Sequence, residues 1–231
     1  MAKKKAAART VSAETKKAAK AVQTKLKDIN RHLVTVRIVG ESPVITHKWS
    51  EKALLTLRKK HEGVKTKDRS VRDPAAEGEA ATYYTPDKKP GVLAVALKAA
   101  IVKAAHRDLG IAQTLVMKSL FVYPKGKEIV LPLESANGVK LERKICEDPV
   151  RVGQGATDLR YRPYYFNWAI TAMFEIDADW LQVEDLLVLI NRAGFGVGIH
   201  EWRPEKGGEY GRFRIDDSFA IVDKPIAGLG G

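Results

Sequence analysis

The sequence has 231 residues, 45% of them hydrophobic, and a formal net charge of +12. That length can bury one domain of moderate size, and no apolar run approaches the roughly 18–20 residues of a membrane span. Cys146 is the single cysteine, which excludes an internal disulfide and a cysteine-built zinc site; the start, Met1-Ala2-Lys3-Lys4-Lys5, lacks the apolar segment of a secretory signal, so a cytoplasmic protein is expected.

The charge is uneven. Ten Lys/Arg stand against two carboxylates in residues 1–32, so eight of the twelve net positive charges sit in a basic N-terminal arm, and the other 30 basic and 26 acidic residues nearly balance. The excess points to a polyanionic partner. The arm is Ala/Lys-rich with few large apolar residues, and is expected outside the core, either solvated or folding on nucleic acid or a neighbouring subunit.

Leu33 to Val39 alternates strictly, with Val34, Val36 and Ile38 on one side and Thr35 and Arg37 on the other, and predicts the first strand. Gly40 and Pro43 end it. Val44 to Trp49 is a short extended piece, and Ser50 caps a helix through Leu54, Leu55 and Leu57. Residues 58–90 are polar and read as a long loop, either solvated or a basic finger along a phosphate backbone, with Tyr83 and Tyr84 as anchors or stacking rings. A helix over 92–107 opens at Pro90-Gly91 and closes at Gly110.

Thr114 to Tyr123 reads as a buried strand. Asn137-Gly138 signals a hairpin between extended runs at 128–133 and 139–145. Val150 to Phe166 reads as irregular, and its mixture of Arg151, Arg160 and Arg162 with Tyr161, Tyr164 and Tyr165 suits a single-strand path or a solvated loop. A clear strand follows over 168–176, then a helix over 179–193 capped by Asp179 and stopped by Gly194.

That helix delivers the chain into a glycine-rich stretch, residues 194–215, where six glycines interleave with aromatics and arginines. Such backbone can lie close to another surface while side chains stack and pair charges; the same glycines also suit tight turns. Tyr210, Arg212 and Arg214 alternate with Gly211, Phe213 and Ile215, predicting a strand with one basic-aromatic face. No dinucleotide fingerprint or P-loop is present, because Gly194, Gly196 and Gly198 follow a helix instead of opening one.

In order the main elements are βαββαβ. This is an α+β chain with a ferredoxin-like (RRM-type) core over residues 33–216, insertions at about 58–90 and 124–167, a glycine-rich C-terminal loop and a flexible tail over 217–231. A late helix running into a glycine-rich loop and then Tyr210-Gly211-Arg212-Phe213 resembles the RAMP superfamily, especially the CRISPR backbone subunits that polymerise along guide RNA. Pro90-Gly91 followed by Lys98 is similar to the basic first helix of that family. The segment from Arg151 to Ile215, with Arg160-Tyr161-Arg162-Pro163 and Trp202-Arg203-Pro204, also looks like proteins carried by phages and mobile elements. The resemblance covers about the last third of the chain and implies that the glycine loop lies against RNA, while insertions interlock neighbouring subunits.

The expected function is therefore non-catalytic, sequence-tolerant binding of single-stranded RNA or DNA by a subunit that oligomerises along the strand, with no cofactor and no metal. The candidate contacts are Arg37, Lys98, Arg160, Arg162, Gly196, Gly198, Trp202, Arg203, Lys206, Gly207, Gly208, Tyr210, Arg212 and Arg214. Two alternatives stand beside it. One is a RAMP-like endoribonuclease, for which His200, next to Glu201, is the best-placed of the five histidines. The other is a structural protein of a virion or assembly, with nucleic acid incidental.

Overall fold

The computed structural model describes residues 28–64, 71–126, 129–152 and 155–226. Most of the basic arm, residues 1–27, and the last five residues of the expected tail lie outside them. The chain runs β1 (Arg31–Gly40), β2 (Val44–Ile45), α1 (Glu51–His61), α2 (Pro74–Ala80), β3 (Tyr83–Tyr84), β4 (Pro90–Leu93), α3 (Ala94–Leu109) and α4 (Gln113–Ser119). It continues with β5 (Leu120–Tyr123), β6 (Val130–Pro132), β7 (Glu134–Ser135), β8 (Glu142–Val152), β9 (Ala156–Phe166), β10 (Trp168–Asp177), α5 (Val183–Gly196), a short 3-10 turn at Pro204–Lys206, β11 (Phe213–Ile215) and β12 (Val222–Ile226). Helices and antiparallel sheets are mixed, which is the α+β class.

The principal sheet has the strand order β11-β1-β10-β5, all antiparallel. Alternation in β1 sets its register: Val34, Val36 and Ile38 are fully buried and pair opposite Phe174, Ala172 and Ile170 of β10. These residues meet Leu97, Ile101 and Ala105 of α3 and Leu186, Leu189 and Ile190 of α5, so both helices close one face of the sheet over a shared core. Truncating one of these large side chains to alanine removes about 2–5 kcal/mol. The opposite face carries ion pairs, Arg31 and Lys125 on Glu175 and Arg37 on Glu134 and Asp216.

Two smaller antiparallel sheets, β2-β9-β8 and β3-β4-β6, build on this core. Among the described residues no helix is long and apolar enough to cross a membrane.

Several sequence expectations change. The apolar run at 114–123 is helical up to Ser119 and extended only over Leu120–Tyr123; a short apolar run does not declare its period. Asn137-Gly138 does turn the chain, with Val139 N–H donating to Ala136 O at 2.8 Å, but the expected runs on its two sides do not pair with each other: β6 before it pairs with β4, and β8 after it pairs with β9. The long hairpin is β8–β9, with Glu142↔Phe166 at its base, so the path expected to be irregular over 150–166 is strand over 150–152 and 156–166. The loop expected over 58–90 contains the end of α1, all of α2 and β3. Asp179 is not the cap of α5: it lies in a turn, with its N–H donating to Asp177 Oδ1, and the helix starts after Gln182.

Gly194 does not stop α5 either. It is buried inside the helix, where a Cβ would lie 1.8 Å from Phe213 O, so glycine is what lets β11 lie on the helix backbone. The strand expected over 210–215 is shortened to 213–215. Val222–Ile226, counted with the tail, pairs with the first half of β1 from Thr35↔Val222 to Arg31↔Ile226.

Candidate nucleic-acid interface

Residues 197–212 form a loop closed on itself and pinned to the segment after β1. Ile199 N–H donates to Gly211 O at 3.0 Å and Tyr210 N–H to Trp202 O at 3.0 Å, while Gly211 N–H reaches Pro43 O at 2.8 Å and Glu201 N–H reaches Ile45 O at 3.2 Å. The glycines permit this folding. A Cβ at Gly211, where φ is +66°, would lie 2.0 Å from Ile199 O, one at Gly208 would lie 1.9 Å from Trp202 O, and one at Gly198 would lie 2.7 Å from Pro204 Cδ. The expectation of a ribbon laid against a ligand is thereby corrected for these three positions, whose close neighbour is the chain itself. Gly196 and Gly207 are exposed and a Cβ there meets nothing within 4 Å.

The loop packs on the β8–β9 hairpin through an aromatic-guanidinium cluster. Arg162, 1% exposed, donates its Nε–H to Asp148 Oδ2 at 2.8 Å, and a terminal guanidinium nitrogen lies 2.7 Å from the same oxygen. Tyr164, two residues along the same face of β9, donates its hydroxyl to the other Asp148 oxygen at 2.7 Å. Burial, and then that hydrogen bond to Asp148, push the Tyr164 hydroxyl pKa well up. The Arg162 guanidinium sits 4.7 Å from the Trp202 ring centre, and Tyr210 stands edge-on to Tyr164 at 5.5 Å and 6.1 Å from Trp202. Arg162 and Tyr210, expected to touch a ligand, join loop to hairpin. Trp202 remains 36% exposed.

Other expected contacts are also engaged internally. Arg37 pairs with Glu134 and Asp216 on the sheet. Lys98 donates to Met117 O at 3.0 Å and lies 4.3 Å from the Phe121 ring centre. Arg203 holds Glu205 at 2.9 Å and His200 O at 2.8 Å. Arg212 pairs with Glu41 at 3.0 Å and Arg214 with Asp217 at 3.2 Å, so the two guanidiniums and Tyr210 do not form one open basic face. Lys206 is exposed, and Arg160 is half-exposed; neither has a side-chain partner among the described residues.

His200 accepts the Leu93 N–H at 3.2 Å through Nε2, satisfying backbone at the start of α3. Burial, reinforced by Arg203, lowers its pKa from 6.5 to about 4, so the folded chain keeps a neutral imidazole where the unfolded chain would take up a proton. Stability therefore carries its full His200 contribution above pH 6.5 and loses it as pH falls towards about 4. Urea melts from pH 7 to pH 4 are expected to show this acid loss, reduced in His200→Gln. Equal acid loss in both proteins would exclude His200 as its source. Among the described residues no group of three or more His, Cys, Asp or Glu is placed to hold a metal ion.

The insertion that read as loop builds a cleft of about 880 Å³ between α1, α2 and β9. Asp73 starts α2 by accepting Ala75 N–H at 2.9 Å, with Pro74 in the first turn; this Asp-Pro pair was the available sequence signal for the helix. Arg72 ties the helix to the hairpin, holding Glu77 at 2.6 Å and Asp158 at 2.8 Å. His47, Lys48, Trp49, Arg160 and Tyr161 line the cleft, and Glu201 brings the glycine loop to its edge.

No family model and no curated protein sequence matches the chain. Among solved structures it is similar to a chain of the Type III-B Cmr-beta complex bound to cognate target RNA, at 10% identity and a TM-score of 0.42, covering 85% of this chain and 61% of that one. It is also similar to Cmr6 from Pyrococcus furiosus, at 10% identity and a TM-score of 0.40, covering 80% of this chain and 99% of that one.

Proposed function

We propose that the chain is a non-catalytic, sequence-tolerant binder of single-stranded nucleic acid, RNA ahead of DNA, acting as a repeating subunit of a RAMP-type CRISPR complex on a ferredoxin-like core. The observation that carries the reading is the cleft beside the glycine loop: it holds two cations without side-chain partners among the described residues, Arg160 and Lys48, next to Trp49 and Tyr161. Cations neutralise phosphates and aromatic rings stack on bases of any sequence, which together give binding without base readout. The strand order β11-β1-β10-β5 under α3 and α5 supports the ferredoxin-like core. Repetition along the strand rests on the resemblance of the late helix, the glycine-rich loop and Tyr210-Gly211-Arg212-Phe213 to backbone subunits.

In this reading Arg160, Lys206, Trp202, Gly196 and Gly207 face the strand, while Arg37, Lys98, Arg162, Arg203 and Tyr210 hold the scaffold. Fluorescence anisotropy with a labelled, mixed-sequence single-stranded RNA is expected to show binding at low salt that weakens steeply as salt rises. Arg160→Ala is expected to weaken it equally for unrelated sequences and to reduce the logarithmic salt slope by about 0.7. Absence of binding at low salt would sink the proposal.

A further inference from the structure

We propose that the cleft between α1, α2 and β9 is a seat for a single nucleoside phosphate, its phosphate on Arg160 and Lys48 and its base against Trp49 and Tyr161. This rests on the strand-binding reading and sharpens it: one nucleotide leaves the bound strand and enters the protein.

The volume is suitable, since about 880 Å³ falls within the roughly 300–1,000 Å³ of small-ligand sites. The charges select the ligand. Four carboxylates line the cleft, but each is occupied: Glu77 and Asp158 by Arg72, Asp73 by the α2 backbone, and Glu201 by Arg162 at 3.3 Å. Arg160 and Lys48 have no such side-chain partner among the described residues, so they are the two cations of the cleft free to meet a phosphate.

Its walls are aromatic and apolar. Trp49 is 57% exposed, unusually open for so large a ring, and Leu57 of α1 is 40% exposed. Tyr161 is fixed by the Arg72 guanidinium 5.5 Å from its ring centre, and a fixed ring loses little freedom when a base stacks on it. His47 adds a polar edge; burial, against the opposing pull of Glu201, lowers its pKa and favours the neutral imidazole, which can both donate and accept.

The test uses the whole chain and two free probes, AMP and adenosine, titrated by calorimetry. AMP is expected to bind at least about tenfold tighter than adenosine, Arg160→Ala to erase that difference, and Trp49→Ala to weaken both probes about tenfold. Both side chains are on the surface, and unchanged thermal melts establish that the variants remain folded. No AMP binding up to about 10 mM, or AMP binding indifferent to both substitutions, overturns the assignment. Strand binding without AMP binding removes the nucleotide seat and leaves the proposed function standing. AMP binding without strand binding supports the phosphate and base contacts but overturns the origin of the nucleotide in a bound strand.

Discussion

Arg162→Ala is expected to destabilise the chain by about 3–5 kcal/mol, the range for removing one partner of a buried ion pair. At about 2–4 °C per kcal/mol for a chain of this size, the melting temperature should drop by roughly 10 °C. Asp148 is the reason. It is 5% exposed and receives the Arg162 guanidinium and the Tyr164 hydroxyl; without the guanidinium its carboxylate stays buried with a neutral donor alone. Arg162→Lys is expected to recover only part of the loss, because an ammonium keeps the charge on Asp148 but has no planar guanidinium to set against the Trp202 ring. Trp202 also loses the cation against its ring, so its fluorescence should shift to the red as the loop loosens. A loss below about 1 kcal/mol, within the range of exposed pairs, would show that the cluster does not bind loop to hairpin.

The second large effect is Gly211→Ala, with Gly207→Ala as its companion. Both glycines have left-handed φ, +66° and +77°, so alanine at either costs about 1–2 kcal/mol from backbone conformation. At Gly207 nothing lies within 4 Å of the new Cβ, and the cost ends there. At Gly211 the Cβ meets Ile199 O at 2.0 Å, and separating two strands of the loop adds about 1–3 kcal/mol. Urea melts should therefore place Gly211→Ala well below Gly207→Ala at an unchanged m-value. Equal midpoints would mean that the close approach is not why glycine stands at 211. The two variants are expected to reverse in strand binding relative to stability, since Gly207 is the one with open space beside it.

The core was legible because its periodicities are simple. Val34, Val36 and Ile38 alternate on β1, Ile170, Ala172 and Phe174 do so on β10, and the apolar positions of α3 and α5 recur at helical spacing. The left-handed cap at Gly110, with φ of +66°, was equally plain. What escaped had a different physical character. Pro149 and Pro163 hid the β8–β9 hairpin behind residues that sheets usually avoid. In the glycine stretch the need for close backbone approach was readable, but not the object approached: sequence does not distinguish a ligand from Phe213 O, Trp202 O or Ile199 O of the same chain. Likewise, the arginines at 37, 162 and 212 looked available because their carboxylate partners are distant in sequence or on another strand, as Glu134, Asp148 and Glu41 are.

β1 binds strands from late in the chain on both its edges: β10 along one, β11 and β12 along the other. Each of those partners begins more than 120 residues after the end of Arg31–Gly40. During synthesis β1 must therefore wait until β10 has been made before one of its margins is filled, and until β11 and β12 have been made before the other is. Its Val34, Val36 and Ile38 remain sticky throughout that interval, which makes the growing chain a client for chaperones that hold apolar segments.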